Sequence, residues 1–174
     1  MRSIYFIIAL LTATNCFAQT DRKVSALFSI GANKTLYDRT ATNNAGGIGF
    51  GLQTVVNTPT FIKPFLEIEA NLFAGTKEMY ITVDGKPIDA KSGVLGIYAG
   101  GLLQPSERWF FTAAAGTSIY NNSAHFGIKP AVGYYLSQNK KWMTRTSFTH
   151  IFQRDAISNK PFGYFNFALG AKLF

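Results

Sequence analysis

Residues 62–72 decide the fold, and they read IKPFLEIEANL. Apolar and polar side chains alternate along this stretch with a period of two, which is the period of a β-strand with two different faces. One face carries the apolar residues Ile62, Leu66, Ile68, Ala70 and Leu72. The other face carries Glu67, Glu69 and Asn71. This pattern predicts a strand that separates an apolar environment from a polar one.

The same alternation recurs in seven further segments, so the sequence predicts eight strands of about 10–13 residues. That length is long for a strand of a soluble protein, but it suits a tilted strand that crosses a bilayer. The strand-borne charges all share the face that carries the glycines, and they are Glu67, Glu69, Lys129, Arg145 and Lys172. A soluble barrel would have the opposite polarity. We therefore expect an all-β protein, an eight-stranded antiparallel up-and-down transmembrane β-barrel with a polar lumen and an apolar outer wall.

The composition is consistent with one such domain. The chain has 174 residues, of which 47% are hydrophobic and only 15% are charged, whereas globular proteins average about 25% charged residues. Beyond the N-terminus, no apolar run approaches the roughly 18–20 residues that a membrane helix needs. The net charge of +8 could suggest nucleic acid binding. A secreted barrel does not meet chromosomal DNA, so we expect no nucleic-acid partner.

The N-terminus predicts export. Residues 1–18 read as a bacterial signal peptide, with Arg2 as the positive region, an apolar core over 4–11 and a cleavage site at 16–18. Cys16 could instead be the lipidated residue of a lipoprotein, but Asn15 directly before it disfavours that alternative. Cleavage removes this single cysteine and leaves residues 19–174 as the barrel domain.

The connections between the predicted strands alternate in length. Short links are expected at 57–60, 104–108 and 138–141, and longer ones at 38–47, 76–92, 121–125 and 153–161. This alternation is typical of short periplasmic turns and long outer loops. Trp109 and Trp142 each follow a short turn, so we expect both in an aromatic girdle at the periplasmic interface. In the longest link, residues 83–86 predict a hairpin turn that makes Tyr80, Asp84 and Lys86 the expected contact surface.

These features together resemble the small outer-membrane β-barrels of the OmpA/OmpX kind. The resemblance covers the whole mature chain and rests on pattern rather than on a shared motif. It implies that the terminal Phe174 is read by the barrel-assembly machinery. In that family the last aromatic continues the outward-facing series, whereas here Leu173 has that phase. The last strand is therefore expected to carry a bulge, or the assembly signal is a variant one.

Paired carboxylates are the first candidates for chemistry. Glu67 and Glu69 lie on one face, roughly 6–7 Å apart along their strand, a spacing that could suit acid–base catalysis. The narrow lumen of an eight-stranded barrel admits no sugar, and the cations of the same face can neutralise the acids. We therefore expect an interior salt-bridge network of Glu67, Glu69, Lys129, Arg145 and Lys172, and no conducting pore.

The two histidines are the other candidates. His125 is expected in an outer loop as a solvated residue, and two isolated histidines predict no metal site and no cofactor. His150 shares the lipid-facing side of its strand with Phe148 and Phe152. A histidine there resembles the outer-membrane lipid A deacylases, which use a His-x-Ser pair, but position 152 is not a serine. Ser158 or Asp155 could approach His150 from the following loop.

The leading functional hypothesis is a non-enzymatic outer-membrane protein with both termini in the periplasm. We expect a structural or protein-docking role, or the role of an accessory subunit of a larger outer-membrane complex. The expected partners are outer-membrane lipid and lipopolysaccharide, the barrel-assembly machinery, and another outer-membrane protein. Two alternatives stay open: a lipid A-modifying, deacylase-like enzyme centred on His150, and a soluble periplasmic lipocalin-like binder.

Overall fold

The computed structural model describes residues 23–37, 46–74, 80–81, 87–88, 92–120, 123–152 and 161–174. The expected signal peptide, with Cys16, lies outside these residues, as do Asp84, Lys86, Asp155 and Ser158. Among the described residues, no helix is long and apolar enough to span a membrane.

The described residues contain ten strands, eight of them in the alternating segments of the sequence. They are β1 (Val24–Tyr37), β2 (Gly46–Val56), β3 (Ile62–Ala74), β4 (Tyr80–Ile81), β5 (Pro87–Ile88), β6 (Ser92–Leu103), β7 (Trp109–Tyr120), β8 (Ser123–Tyr135), β9 (Trp142–Ile151) and β10 (Phe162–Lys172). The eight long strands have 10–14 residues each, which is enough to cross the apolar part of a bilayer at a tilt.

The eight long strands close into one antiparallel barrel. Each long strand pairs with its neighbour along the chain, with β3 paired to β6, and β1 pairs with β10 to complete the ring. The short strands β4 and β5 form a separate two-stranded hairpin within the connection from β3 to β6. The expected up-and-down barrel of eight antiparallel strands is confirmed.

The two ends of the barrel differ. We call one the terminal end, because it carries the first and last described residues, Lys23 and Phe174, together with turns 57–61, 104–108 and 136–141. The other is the distal end. There β7 and β8 are separated by only two residues, since Tyr120 pairs with Ser123. The expected longer link at 121–125 is therefore wrong, because the strand pairing continues to the last residue before the turn.

The wall has the inverted polarity that the sequence predicts. In β3, Ile62, Leu66 and Ile68 are 57%, 48% and 44% exposed, whereas Glu67 between them is 1% exposed. Large apolar side chains cover the outside on every long strand, among them Phe28, Phe50, Leu52, Ile97, Phe111, Ile128, Phe167 and Leu169. A soluble protein does not expose a continuous apolar surface of this kind, but lipid solvates it.

Two apolar clusters fill the lumen near its ends. The terminal plug consists of Leu27, Val55, Phe65, Tyr98, Leu102, Phe110, Ala114, Tyr135 and Met143. The distal plug consists of Phe73, Val94, Ile151, Phe162 and Tyr164. Gly133 shows how tightly the terminal plug packs, because a Cβ added there would lie 2.0 Å from the ring of Phe110. Polar and charged side chains occupy the space between the two plugs.

Candidate functional site

The centre of the lumen holds four charged side chains in direct contact. Both terminal nitrogens of Arg145 on β9 donate to Glu67 on β3, with Nη1–Oε2 and Nη2–Oε1 distances of 3.0 and 2.6 Å. Lys129 on β8 donates to Glu67 Oε1 at 2.8 Å and also to Glu69 Oε2. The bidentate Arg–Glu pair fixes the guanidinium plane, which is the strongest geometry for such a contact.

A chain of neutral polar groups extends this network toward the distal end. Tyr164 Oη donates to Glu69 at 2.8 Å and accepts from Asn71 Nδ2 at 3.0 Å. Asn33 Nδ2 donates to Asn71 Oδ1 at 2.9 Å, and Asn166 Nδ2 donates to Asn33 Oδ1 at 2.7 Å. The carboxylates are therefore held by groups from three strands, β8, β9 and β10, and a continuous series of hydrogen bonds fixes their orientation.

Glycines on β2 make room for these side chains. A Cβ added at Gly49 would lie 2.4 Å from Asn71 Oδ1, and one added at Gly51 would lie 2.8 Å from Ser29 Oγ. Gly51 also lies beneath Arg145, whose Nη2 would be 3.7 Å from the added atom. Two glycines of the cluster 46-GGIGFG-51, Gly49 and Gly51, are thus explained by close packing inside the barrel.

The charges of this network balance. Two carboxylates, Glu67 and Glu69, meet two cations, Lys129 and Arg145, and each of these residues is at most 4% exposed. Buried charges are tolerated when they are paired and hydrogen-bonded in this way. Paired acids that are buried with their counter-ions between two apolar clusters are typical of a structural network rather than of acid–base chemistry.

Lys172 lies at another height. It occupies the same inward face of the wall, since it pairs with the buried Leu27, but it lines a pocket at the terminal end. The ion pairs that the structure gives for the central network join Glu67, Glu69, Lys129 and Arg145. The polar partner that sequence reasoning missed is Tyr164, together with Tyr98, whose ring centroid lies 5.6 Å from Lys129 Nζ. The sequence could have indicated both tyrosines, because each is an aromatic residue on the strand face that otherwise carries small residues.

His150 lies on the outer wall, half-buried among aromatic rings. Its Nδ1 forms a hydrogen bond with Tyr37 Oη, and its ring meets that of Phe152 edge-on at 4.4 Å. A β-bulge brings Tyr37 there: Thr35 pairs with Tyr164 and Tyr37 with Gly163, so Leu36 is the extra residue. The bulge turns Tyr37 out of the lumen and onto the wall.

These contacts leave His150 without the arrangement of a serine hydrolase. The groups that the structure places against its imidazole are a phenol and aromatic rings. Ser158 and Asp155, the candidates for an approach from the loop, lie outside the described residues. His125 is not in a loop as expected. It lies in β8 paired with Ser118, because the β7–β8 turn is tighter than the sequence suggested.

Aromatic side chains also border the apolar wall. Trp109 and Trp142 are about half exposed on the outside at the terminal end, and Trp109 packs edge-on against Tyr134 at 5.0 Å. At the distal end, Phe126 stacks on Phe152 at 5.6 Å. Rings at the two borders of the apolar band are typical of membrane barrels, where they meet the lipid–water interfaces.

The expected contact surface of the β3–β6 connection is described in part. Tyr80 pairs with Ile88 and Ile81 with Pro87, so the two arms form the hairpin that the sequence predicts. Asp84 and Lys86, which the sequence predicts to be in the turn, lie outside the described residues. In the described part of the chain, no group of three His, Cys, Asp or Glu side chains could hold a metal ion.

Solved structures to which this chain is similar include those of Ail, the attachment invasion locus protein of Yersinia pestis. Ail in a phospholipid bilayer nanodisc is 12% identical with a TM-score of 0.56, and the match covers 85% of this chain and 98% of that chain. The crystal structure of Ail is 10% identical, also with a TM-score of 0.56, and covers 86% and 97%. Ail in complex with the heparin analogue sucrose octasulfate gives a TM-score of 0.50 at 10% identity and covers 86% and 99%.

No protein-family model matches this chain, and no curated protein sequence matches it. At such low identity the structural likeness concerns the fold. The closed ring of eight antiparallel strands, the polar lumen and the apolar wall agree with that likeness. This chain therefore has the fold of the small eight-stranded outer-membrane β-barrels of the OmpA/OmpX kind.

Proposed function

We propose that this protein is a non-enzymatic outer-membrane barrel that acts through its surfaces, as a structural element of the envelope or as a docking partner. The observation that carries the proposal is the filled lumen. Two apolar plugs enclose a charge-balanced network whose members are at most 4% exposed. In the described part of the chain, side chains occupy this interior, so we assign function to the outer wall and the two ends.

We also propose an orientation. The terminal end, with its short turns, faces the periplasm, and the distal end, with the β4–β5 hairpin, faces outward, because outer-membrane barrels place short turns inside and longer loops outside. This orientation puts Trp109 and Trp142 at the inner lipid interface. It puts the aromatic cluster of Tyr37, Phe126, His150 and Phe152 near the lipopolysaccharide leaflet. Insertion by the barrel-assembly machinery belongs to the same proposal.

If the protein docks a partner, the β4–β5 hairpin or the aliphatic wall makes the contact. The hairpin has its own strand pairing, which projects a preformed edge rather than a floppy loop. The wall would serve if the protein is an accessory subunit beside a larger barrel. In both cases the partner is another outer-membrane protein, and the lumen contributes only stability.

The docking proposal is tested by purifying the protein from native membranes in mild detergent. The variant Asp84→Ala/Lys86→Ala removes the charges of the hairpin turn, and Glu107→Ala/Arg108→Ala is a charge-matched control in a turn at the terminal end. We expect a stoichiometric partner with the wild type and the control, and its loss with the hairpin variant. Recovery of the barrel alone from every strain would reject docking and leave a structural role, which deletion and an envelope permeability assay would examine.

The enzyme alternative is tested separately. Lipid A from cells that express the wild type, His150→Ala or the control His125→Ala is compared by mass spectrometry. We expect no difference in acyl chains among the three strains. An acyl chain whose removal depends on His150 would overturn the non-enzymatic proposal. The lipocalin alternative needs large apolar side chains inside the barrel, and the outward Ile62, Leu66 and Ile68 disagree with it.

A further inference from the structure

The mouth of the barrel at the terminal end contains a pocket of about 290 Å³. It lies on the terminal plug, since Leu27, Val55, Leu102 and Tyr135 belong both to the plug and to the pocket lining. The rest of the lining is polar and comes from the rim: Ser25, Asn57, Lys63, Gln104, Lys140 and Lys172. The pocket is thus a cup with an apolar floor and a polar rim, near the small end of the range of ligand sites in proteins.

The charge of this cup is one-sided. Lys63 on β3, Lys140 in the β8–β9 turn and Lys172 on β10 come from three separate parts of the chain and line one pocket. No carboxylate side chain is among the described residues of the lining. Cations that gather at a concave site raise the local concentration of anions there.

The whole terminal end shares this bias. Its described basic residues are Lys23, Lys63, Arg108, Lys140, Lys141 and Lys172. The acidic side chain among the described residues of this end is that of Glu107. The surrounding field therefore adds to the attraction of the pocket for an anion.

Lys140 has a backbone conformation that suits a functional position. Its φ is 55°, in the left-handed region where glycine or asparagine is favoured, and it is the one non-glycine residue of the described chain with positive φ. The turn closes through a 3.0 Å hydrogen bond from its N–H to Ser137 O. Its ammonium lies 5.9 Å from the Tyr135 ring, at the edge of the floor. A lysine in a conformation that glycine would adopt at lower cost supports a role for its side chain.

Neutral donors complete the rim. Asn57 Nδ2 donates to Ser25 Oγ at 2.8 Å, which orients both groups at the mouth, and Gln104 donates to Glu107 O at 3.1 Å in the neighbouring turn. Lysines bind phosphate as point charges, and hydroxyl and amide groups add directed hydrogen bonds to its oxygens. The apolar floor suits a short hydrocarbon group attached to that phosphate.

We propose that this cup binds a phosphate monoester. The group could come from a soluble organic phosphate or from a phosphatidate headgroup of the adjoining leaflet, since both present the same dianion.

The test uses the full barrel, refolded in a zwitterionic detergent, with butyl phosphate titrated calorimetrically. A second arm measures binding of the refolded barrel to vesicles of phosphatidylcholine with about 10% phosphatidic acid. The variant is Lys63→Gln/Lys140→Gln, and the control is Lys23→Gln/Lys141→Gln, which removes the same charge from the same end outside the cup. We expect saturable binding by the wild type, a loss of at least about tenfold in the variant, and a change under about twofold in the control.

Binding in the first arm identifies a soluble phosphate, and binding confined to the second identifies the lipid headgroup. Absence of saturable binding in both arms, or equal losses in variant and control, would overturn the proposal. Lys140→Gly separates binding from folding. It relieves the backbone strain, so we expect its urea midpoint to stay equal or rise while phosphate affinity falls. Unchanged affinity in this variant would contradict the role of Lys140.

Discussion

Replacement of Arg145 by methionine is the most direct test of the interior network. Met has a comparable length and no charge, so the variant removes the cation while it keeps most of the packing. Arg145 makes two hydrogen bonds to Glu67, at 3.0 and 2.6 Å, from a position that is 3% exposed. After the replacement, Lys129 alone faces Glu67 and Glu69. The closed lumen then carries one unbalanced negative charge.

The expected cost follows from that imbalance. Removal of one partner of a buried ion pair lowers the free energy of unfolding by about 3–5 kcal/mol, because the remaining charge stays buried without compensation. That loss corresponds to a factor of roughly 10² to several 10³ in the unfolding equilibrium. The double variant Glu67→Gln/Arg145→Met restores neutrality around the remaining Lys129–Glu69 pair. We expect it to recover most of the loss, so the two changes are strongly non-additive.

Urea unfolding in phospholipid vesicles measures these effects. Trp109 and Trp142 lie on the outer wall, about half exposed, and their fluorescence reports the loss of lipid contact. The matched control is Lys141→Met, an exposed cation in the turn before β9 whose loss should change stability by at most about 0.5 kcal/mol.

Two results would refute the reasoning about the network. The first is a loss in Arg145→Met no larger than that in Lys141→Met. The second is a double variant as unstable as the sum of the two single variants. In the same system, charge reversal at Arg145 should lower heat resistance on a gel far more than reversal at Lys86. Equal heat resistance would contradict the interior placement.

Three further predictions concern the wall and the packing, and the same unfolding assay measures them. Ile68→Lys, at the centre of β3, should lower the free energy of unfolding by about 2–4 kcal/mol. Val56→Lys, at the terminal end of β2, should lower it by only roughly 0–1 kcal/mol, and equal losses would argue against a bilayer around the wall. Gly116→Val should lower the free energy of unfolding by about 1–3 kcal/mol, because a Cβ there would lie 2.0 Å from Ile97 O. The side chain at position 115 is exposed on the outer wall, so Ala115→Val should leave the stability unchanged. Gln53 is 2% exposed, and its carboxamide has no hydrogen-bond partner among the described residues. Gln53→Leu should therefore raise the free energy of unfolding by about 1–2 kcal/mol. A loss of similar size would show that the amide makes hydrogen bonds in the folded barrel.

The sequence was sufficient to predict the barrel because its signal is local. Alternation with a period of two assigns each side chain to one of two faces, and Ile68 and Glu69 need no distant information to be placed outside and inside. The same argument placed Trp109 and Trp142 on the wall. Strand ends were harder, since they depend on pairing, and the β7–β8 turn proved tighter than expected.

The alternation of apolar and polar residues does not tell how high along the barrel axis an inward side chain lies. Lys172 shares the inward face with Arg145, yet the register of β10 puts it opposite Leu27 and at the mouth. Register and stagger set that height, and both arise from the closed ring. The same limit hid the contact between Tyr37 and His150, which depends on a bulge in β1 and joins residues 113 positions apart. The pairing of β10 is regular to Ala171 on the β9 side and to Lys172 on the β1 side, where the one irregularity lies in β1. A bulge in the last strand, one of the two explanations that the sequence offered for the phase of Phe174, is therefore wrong.

The long sequence separation of the ion pairs has a consequence for biogenesis. Glu67 is 62 residues from Lys129 and 78 from Arg145, so no hairpin of the chain contains its own counter-charge. A hairpin inserted alone would carry bare carboxylates or a bare guanidinium into hydrocarbon, which is strongly unfavourable. The inward residues must therefore stay hydrated until the seam between β1 and β10 forms. Insertion and closure are then a single concerted event, and a stalled intermediate should be an open, wet sheet rather than a smaller barrel.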